Sequence, residues 1–435
     1  MKQALLLFSL FVIPVDAQEI YDLKRCLETG LERNYEIRIV RNEQQISANN
    51  ATVGNAGLLP TLDLTAGYTG SVNDRDETTN GISSRISGIF NQGLNIGLNL
   101  NWTVFDGFKM QTEYSRLQEF KRMGEISTRL SIENLMANLT AEYYNFVHQN
   151  LLLDNLKYAV ELSKERLRIV EARYMIGSMS RLDLQQARVD FNADSSKLIK
   201  QYEVVNTSAI LLNQLMSVEN VSQKILTPDS VIEPNILLTE DLLWEKTLAC
   251  NSRLLLSYKN KTLSQLDLKA VKSRYYPYLK LNAGYGYTAN FYDASALSRQ
   301  NTLGLNYGLT LGFSVFDGMN RRREQKNTQI VIQNRELQTE QLELSLKADL
   351  SNMWMAYQNN IELTNLEKEN LVVAHENYEI AMERYKLGDL SGLELREAQN
   401  SLLEAEERLL QAQYNTKLCE ISLMQISGQI ISYLK

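Results

Sequence analysis

The sequence predicts an α+β membrane protein in which four transmembrane β-strands per chain run into long antiparallel coiled-coil helices, built as an internal tandem duplication. Three observations predict it: two halves that match in order, paired segments alternating with period two, and long stretches free of proline.

The duplication is read by comparing the chain with itself. Asn95-Ile96-Gly97-Leu98-Asn99-Leu100-Asn101-Trp102-Thr103-Val104-Phe105-Asp106-Gly107 returns as Asn306-Tyr307-Gly308-Leu309-Thr310-Leu311-Gly312-Phe313-Ser314-Val315-Phe316-Asp317-Gly318. Arg173-Tyr174-Met175-Ile176-Gly177 returns as Arg384-Tyr385-Lys386-Leu387-Gly388, at the same offset of 211. Leu59-Pro60-Thr61-Leu62 matches Tyr276-Pro277-Tyr278-Leu279 at 217, the difference falling in a loop, where length varies most. The two copies are assigned to residues 18–230 and 231–435, with Pro228 and Pro234 bracketing the join.

The strands follow from alternation. Leu94, Ile96, Leu98, Leu100, Trp102 and Val104 are apolar, while Asn95, Gly97, Asn99, Asn101 and Thr103 between them are polar or small. The second copy repeats this from Leu303 to Val315. Period two over about eleven residues suits an outer-membrane strand, apolar toward lipid and polar toward a lumen. Shorter partners follow each proline, so strands are expected at about 60–70, 93–105, 277–288 and 302–316, with polar loops at Ser71 to Ser87 and Ala289 to Asn301. Trp102, Phe105, Tyr275, Tyr276 and Phe316 gather near strand ends, where interfacial girdles belong. The edge of a soluble β-sandwich alternates too and stands as the alternative.

Long helical hairpins are expected over 108–217 and 318–430. From Phe108 to Gly177 there is no proline and one interior glycine, Gly124, and some seventy helical residues would extend roughly 105 Å. Leu395, Ala398, Leu402, Ala405, Leu409, Ala412, Cys419 and Leu423 form a three-four seam suited to close packing. In the first copy Leu184, Ala187, Phe191 and Leu198 follow suit, but Asp194 interrupts them, so the two hairpins are not expected to pack alike.

The first seventeen residues differ from the rest. Lys2, an apolar run from Ala4 to Val15 and Ala17 describe a secretory signal peptide (1–17), cut after Ala17; a buried first helix is the alternative. No later apolar stretch approaches the roughly 20 residues of a spanning helix. The net charge of -7 offers no concentrated basic face for nucleic acid. Cys26, Cys250 and Cys419 suggest neither a disulfide framework nor a metal site, and His148 and His375 are expected to be solvated helix residues. No phosphate loop, nucleophile elbow or zinc spacing appears, so neither enzyme, cofactor nor metal is expected.

At the hairpin ends, Arg173-Tyr174-x-x-Gly177-x-x-Ser180-Arg181-Leu182-Asp183 parallels Arg384-Tyr385-x-x-Gly388-x-x-Ser391-Gly392-Leu393-Glu394. Local structure accounts for much of this. Arginine complements a helix C-terminus, glycine ends the helix, and serine with an acid three residues on makes a capping box. Capping does not require the shared Arg-Tyr-x-x-Gly, nor the further acid Glu397.

In these segments, the early helices from Asp22-Leu23 to Asn34, the proline-led strands and Val-Phe-Asp-Gly, the chain resembles the TolC family of outer-membrane efflux and secretion channels. The resemblance covers nearly all of the mature chain. It implies a homotrimer whose strands make one 12-stranded barrel in outer-membrane lipid and whose helices form a periplasmic α-barrel. It also implies partnership with a periplasmic adaptor (membrane fusion) protein and an inner-membrane pump. By position, Glu394 and Glu397 look like an acidic ring at the periplasmic gate, and Asp183 with Tyr385 like a locking pair. The family ring is usually aspartate, so the longer side chains here put the aperture and any cation-binding geometry in question. Arg173, Tyr174, Gly177, Ser180, Arg384, Gly388 and Ser391 mark the tips where an adaptor would dock. The function so implied is the exit duct of a multicomponent efflux pump; the alternatives are the outer-membrane component of a type I protein secretion system and an exported coiled-coil scaffold or adhesin.

Overall fold

A computed structural model describes residues 20–235 and 237–434; the expected signal peptide lies outside them. The elements run α1 (Leu23–Arg33), α2 (Tyr35–Asn50), β1 (Thr61–Thr79), β2 (Ile82–Phe105), α3 (Lys109–Met175), α4 (Arg181–Leu215), α5 (Glu240–Cys250), α6 (Ser252–Ser273), β3 (Tyr278–Phe291), β4 (Arg299–Gly312), α7 (Asn320–Leu387) and α8 (Gly392–Ile426). A short 3-10 helix, Ile430–Leu434, follows. Each half thus has two shorter helices, two strands and two long helices, in one order. Among the described residues no helix is long and apolar enough to cross a membrane.

The chain divides into two compact units. One comprises Arg41–Ser127 and Leu254–Leu342 and holds the sheet, whose strands pair antiparallel in the order β1-β2-β3-β4. Register carries the period-two pattern across all four strands. Leu64 faces Leu98, Leu98 faces Tyr285 and Tyr285 faces Leu305; the next row of the ladder is Thr65, Gly97, Gly286 and Gly304. One face is therefore continuously apolar and the other polar or small. Leu64 is 72% and Leu305 64% exposed, a large apolar surface that water does not favour and lipid does.

The polar segment expected as a loop from Ser71 to Ser87 instead continues the ladder to Thr79 and Ile82. Asn80 and Gly81 close it with φ of 54° and 80°, the two left-handed residues of a tight hairpin turn. Backbone pairing needs no alternation when both faces meet water, which is why the apolar pattern stops before the strands do. The register shifts between Asn73 and Arg75, where the Asp74 carboxylate accepts from the Gly88 amide at 2.9 Å. At the other end β4 stops at Gly312, paired with Tyr278, although alternation runs on to Val315 and the strand is expected to reach 316. Pro277 precedes Tyr278 and has no N–H to extend the ladder.

The repeated Asp-Gly joins strand to helix. The Asp106 carboxylate accepts from the Met110 amide at 3.1 Å and Asp317 from the Arg321 amide at 2.9 Å, satisfying first-turn donors of α3 and α7. Gly107 has φ +74, and a Cβ there would lie 2.2 Å from the Ser273 carbonyl oxygen. Around it Phe105, Phe108 and Tyr276 meet edge to face, with ring centroids at 5.1 and 5.9 Å. Ion pairs Lys259–Glu119 (2.8 Å) and Arg274–Glu324 (2.6 Å) tie α6 to α3 and to α7.

The other unit comprises the segment ending at Val40, Thr128–Arg253 and the chain from Glu343. Its main core joins α1, α3, α4 and the join between copies through Cys26, Leu27, Met136, Leu139, Tyr143, Leu212, Met216, Ile225 and Ile232. Burial pushes the Cys26 thiol up to about 12, so it acts as a small apolar residue. Lys417 and Glu420 are buried together at 3.0 Å, and Glu420 also accepts from the Asn235 amide at 2.8 Å, fixing the join against α8. His148 departs from expectation. It is 3% exposed and stacks on Tyr414 with centroids 4.9 Å apart, because its position on α3 faces α8 and not solvent.

Candidate functional site at the hairpin ends

A smaller core ties the far ends of the long helices together: Val170, Leu184, Ala187, Tyr378, Ala381, Tyr385, Leu395, Ala398 and Leu402. Above it both tips are built alike. The Gly177 amide donates to Tyr174 O (3.0 Å) and the Ser178 amide to Arg173 O (2.9 Å); Gly388 and Asp389 do the same with Tyr385 and Arg384 at 3.0 and 2.9 Å. These paired bonds end α3 and α7, and they require the positive φ of Gly177 (+77) and Gly388 (+88). Ser180 and Ser391 then cap α4 and α8. Asp183 N donates to Ser180 Oγ at 3.1 Å and Glu394 N to Ser391 Oγ at 3.2 Å. The carboxylates of Asp183 and Glu394 return the bond to the serine amides at 3.1 and 2.9 Å.

That geometry separates the acids. Asp183 and Glu394 are engaged in capping boxes, and the Ser391 hydroxyl and amide hold the Glu394 carboxyl below its usual range. Glu397 is exposed and makes no ion pair among the described residues. It shares an open groove with Glu394, Arg384 and Leu390. The Tyr385 side chain is fully buried, and among the described residues its hydroxyl has no hydrogen-bond partner, so Asp183 and Tyr385 are not hydrogen-bonded within the chain. Burial pushes its phenol up, against the opposing charge of Arg173.

Arg173 does not serve its own helix end. Its guanidinium lies over the Tyr385 ring, 5.1 Å from the centroid, and donates to the carbonyls of Tyr385 (2.8 Å) and Lys386 (2.9 Å). The first hairpin thereby caps the C-terminus of α7 in the second. Arg384, its counterpart, turns to Asp389 at 3.3 Å. Tyr174 is 40% exposed, and Met175, Ile176, Leu182, Leu387 and Leu393 stand out from the tips with most of their surface in solvent.

A sequence model of the outer membrane efflux protein family matches residues 27–217 and 246–429. The chain belongs to that family. It is 23% identical over 420 residues to outer membrane protein TolC of Escherichia coli (strain K12), covering 91% of this chain and 80% of that one. With TolC of Vibrio cholerae it shares 19% over 412 residues, covering 92% and 89%. Among solved structures it is similar to the CusC channel, with a TM-score of 0.76 at 17% identity over 95% of this chain and 92% of that one. The protein is thus an efflux channel of the outer membrane and not an enzyme.

One cluster in this efflux protein is not legible in its sequence. Asp194, which interrupts the first seam, is 2% exposed and takes both terminal nitrogens of Arg396, at 2.6 and 2.8 Å. Ser163 donates to the same carboxylate, and Gln399 donates to Ser163 Oγ at 3.2 Å. One turn away on α4, Asp190 pairs with the buried Arg166 of α3. Burial alone would raise the Asp194 carboxyl, but Arg396 and Ser163 hold it below the usual carboxylate range. The partners lie 202 residues apart, and only the interrupted seam marked the position.

Proposed function

We propose that this efflux channel is the exit duct of a multicomponent pump, conducting small molecules passively from periplasm to exterior after an adaptor opens its periplasmic mouth. The observation that carries it is the doubled hairpin end, with exposed acids beside apolar tips. Glu397, aided by Glu394, supplies negative charge where copies converge, and such a ring holds cations and resists passage. The exposed Met175, Ile176, Leu182, Leu387 and Leu393 offer an adaptor an apolar landing surface around Arg173, Tyr174, Gly177, Ser180, Arg384, Gly388 and Ser391. Asp183 and Tyr385 then act indirectly, Asp183 by starting α4 and Tyr385 as the buried plate under Arg173.

A homotrimer is part of this reading. β1 and β4 leave the sheet with two open edges, and four strands are fewer than the roughly eight of the smallest membrane barrel. Three copies supply twelve. The test is a deletion strain complemented with the wild type or with Glu394→Gln plus Glu397→Gln. Drug sensitivity restored by the wild type supports efflux; missing secreted proteins with unchanged drug sensitivity would move the assignment to protein secretion. In planar bilayers the double variant should conduct more and lose divalent block, and wild-type behaviour in both would overturn the gate.

A further inference from the structure

We propose that Asp194 and Arg396 form a latch that fixes α8 against the first hairpin and thereby aims Glu397 at the mouth. Asp194 occupies a seam position of α4 that would otherwise take an apolar residue, between Phe191 and Leu198. It is buried within the single chain, as are Ser163 and Gln399, so the network is complete without a second copy. Its members come from three helices: Ser163 from α3, Asp194 from α4, Arg396 and Gln399 from α8. The Gln399 amide also lies 3.4 Å from the Ala159 carbonyl oxygen. A buried charge in a helical seam is tolerated only when all its partners are in place, so it selects one register and one rotation over the alternatives.

The rotation is what reaches the mouth. Successive helical residues stand roughly 100° apart, so a two-pronged grip on Arg396 fixes the direction of Glu397 beside it. An α8 turned to release Arg396 would also carry Glu397 out of place and leave Asp194 buried without its cation. The duplication gives independent support for a dedicated part. At the 211-residue offset the second copy has Ala405 in place of Asp194, and the first has Gln185 in place of Arg396. Neither residue of the pair is matched in the other copy, so among the described residues each chain holds one such pair.

The inference rests on the reading of the hairpin ends as a gated mouth, and its test separates the two. The purified full-length protein is placed in planar bilayers, with magnesium chloride added on the side of the hairpin ends. Asp194→Asn and Arg396→Gln should each raise conductance at least twofold and weaken magnesium block. Arg396→Lys, keeping charge without the fork, should fall between. The reversed pair, Asp194→Arg with Arg396→Asp, should recover most of the wild-type block, a rescue that loss of packing would not give. Heat-modifiability on gels identifies any single variant that fails to assemble, for which the reversed pair and Arg396→Lys carry the test. Wild-type conductance and block in assembled Asp194→Asn and Arg396→Gln, with block still relieved by Glu397→Gln, would overturn the latch alone. Indifference of all variants, Glu397→Gln included, would overturn the mouth and the latch with it.

Discussion

Ser180 and Ser391 each accept one backbone bond while the acid three residues on returns another, and this divides the two glutamates of the second tip. Glu394 is bound to its own helix start, whereas Glu397 is free to meet ions. Glu397→Gln should therefore weaken divalent block more than Glu394→Gln, and single-channel titration with magnesium checks the order. Ser180→Ala removes an N-cap and should cost about 1 kcal/mol, read as a lower unfolding temperature. His148 carries a pH dependence. Burial lowers its imidazole below the ordinary 6.5, against a hydrogen bond to Gln411 that raises it. A basic group depressed in the folded state favours the neutral form, so its contribution is complete above pH 6.5 and is lost as the pH falls below it. Thermal unfolding between pH 8 and 5 should show this loss, and His148→Leu should flatten it. The sequence shows both capping boxes and both glycine stops, because those rest on neighbours within five residues. It could not see that Arg173 crosses to α7, that His148 faces Tyr414, or that Asp194 has a cation, since each depends on distant partners.

At the level of elements, the Val-Phe-Asp-Gly repeat proves to be a joint as well as a marker of duplication. Asp106 and Asp317 start the long helices, and Gly107 lies so close to Ser273 that no side chain fits. Gly107→Ala should destabilise the protein by at least about 1 kcal/mol, measured as a lower temperature for loss of the gel-resistant assembly. The strands were legible wherever one face is apolar, from Leu94 to Val104 and from Leu303 to Leu311, because lipid contact imposes period two. Beyond the Val72–Phe90 pair apolar residues are sparse and the pattern vanishes, although Asn80-Gly81 marks the turn. At the hairpin ends Arg173→Ala should leave the carbonyls of Tyr385 and Lys386 without their cap. Hydrogen exchange at the amides of residues 384–390 should then quicken, and an unchanged rate would remove the crossing arginine from the account.

For the whole molecule, duplication and incompleteness belong together. Two copies of a strand-helix unit give one chain four strands with two open edges and four long helices. Such a chain finds its remaining hydrogen bonds in further copies of itself, and a lipid-facing edge left open would cost several kcal/mol per unpaired group. Membership of the efflux family accords with this, and in the proposed function the tips are where the conduit closes. Single-channel recording on the purified assembly in planar bilayers tests that account most directly. It predicts discrete conductance steps, small in the wild type, blocked by magnesium from the side of the hairpin ends and relieved of that block in Glu397→Gln. An assembled protein that inserts yet shows one wide conductance, indifferent to magnesium and to Glu397, would contradict it.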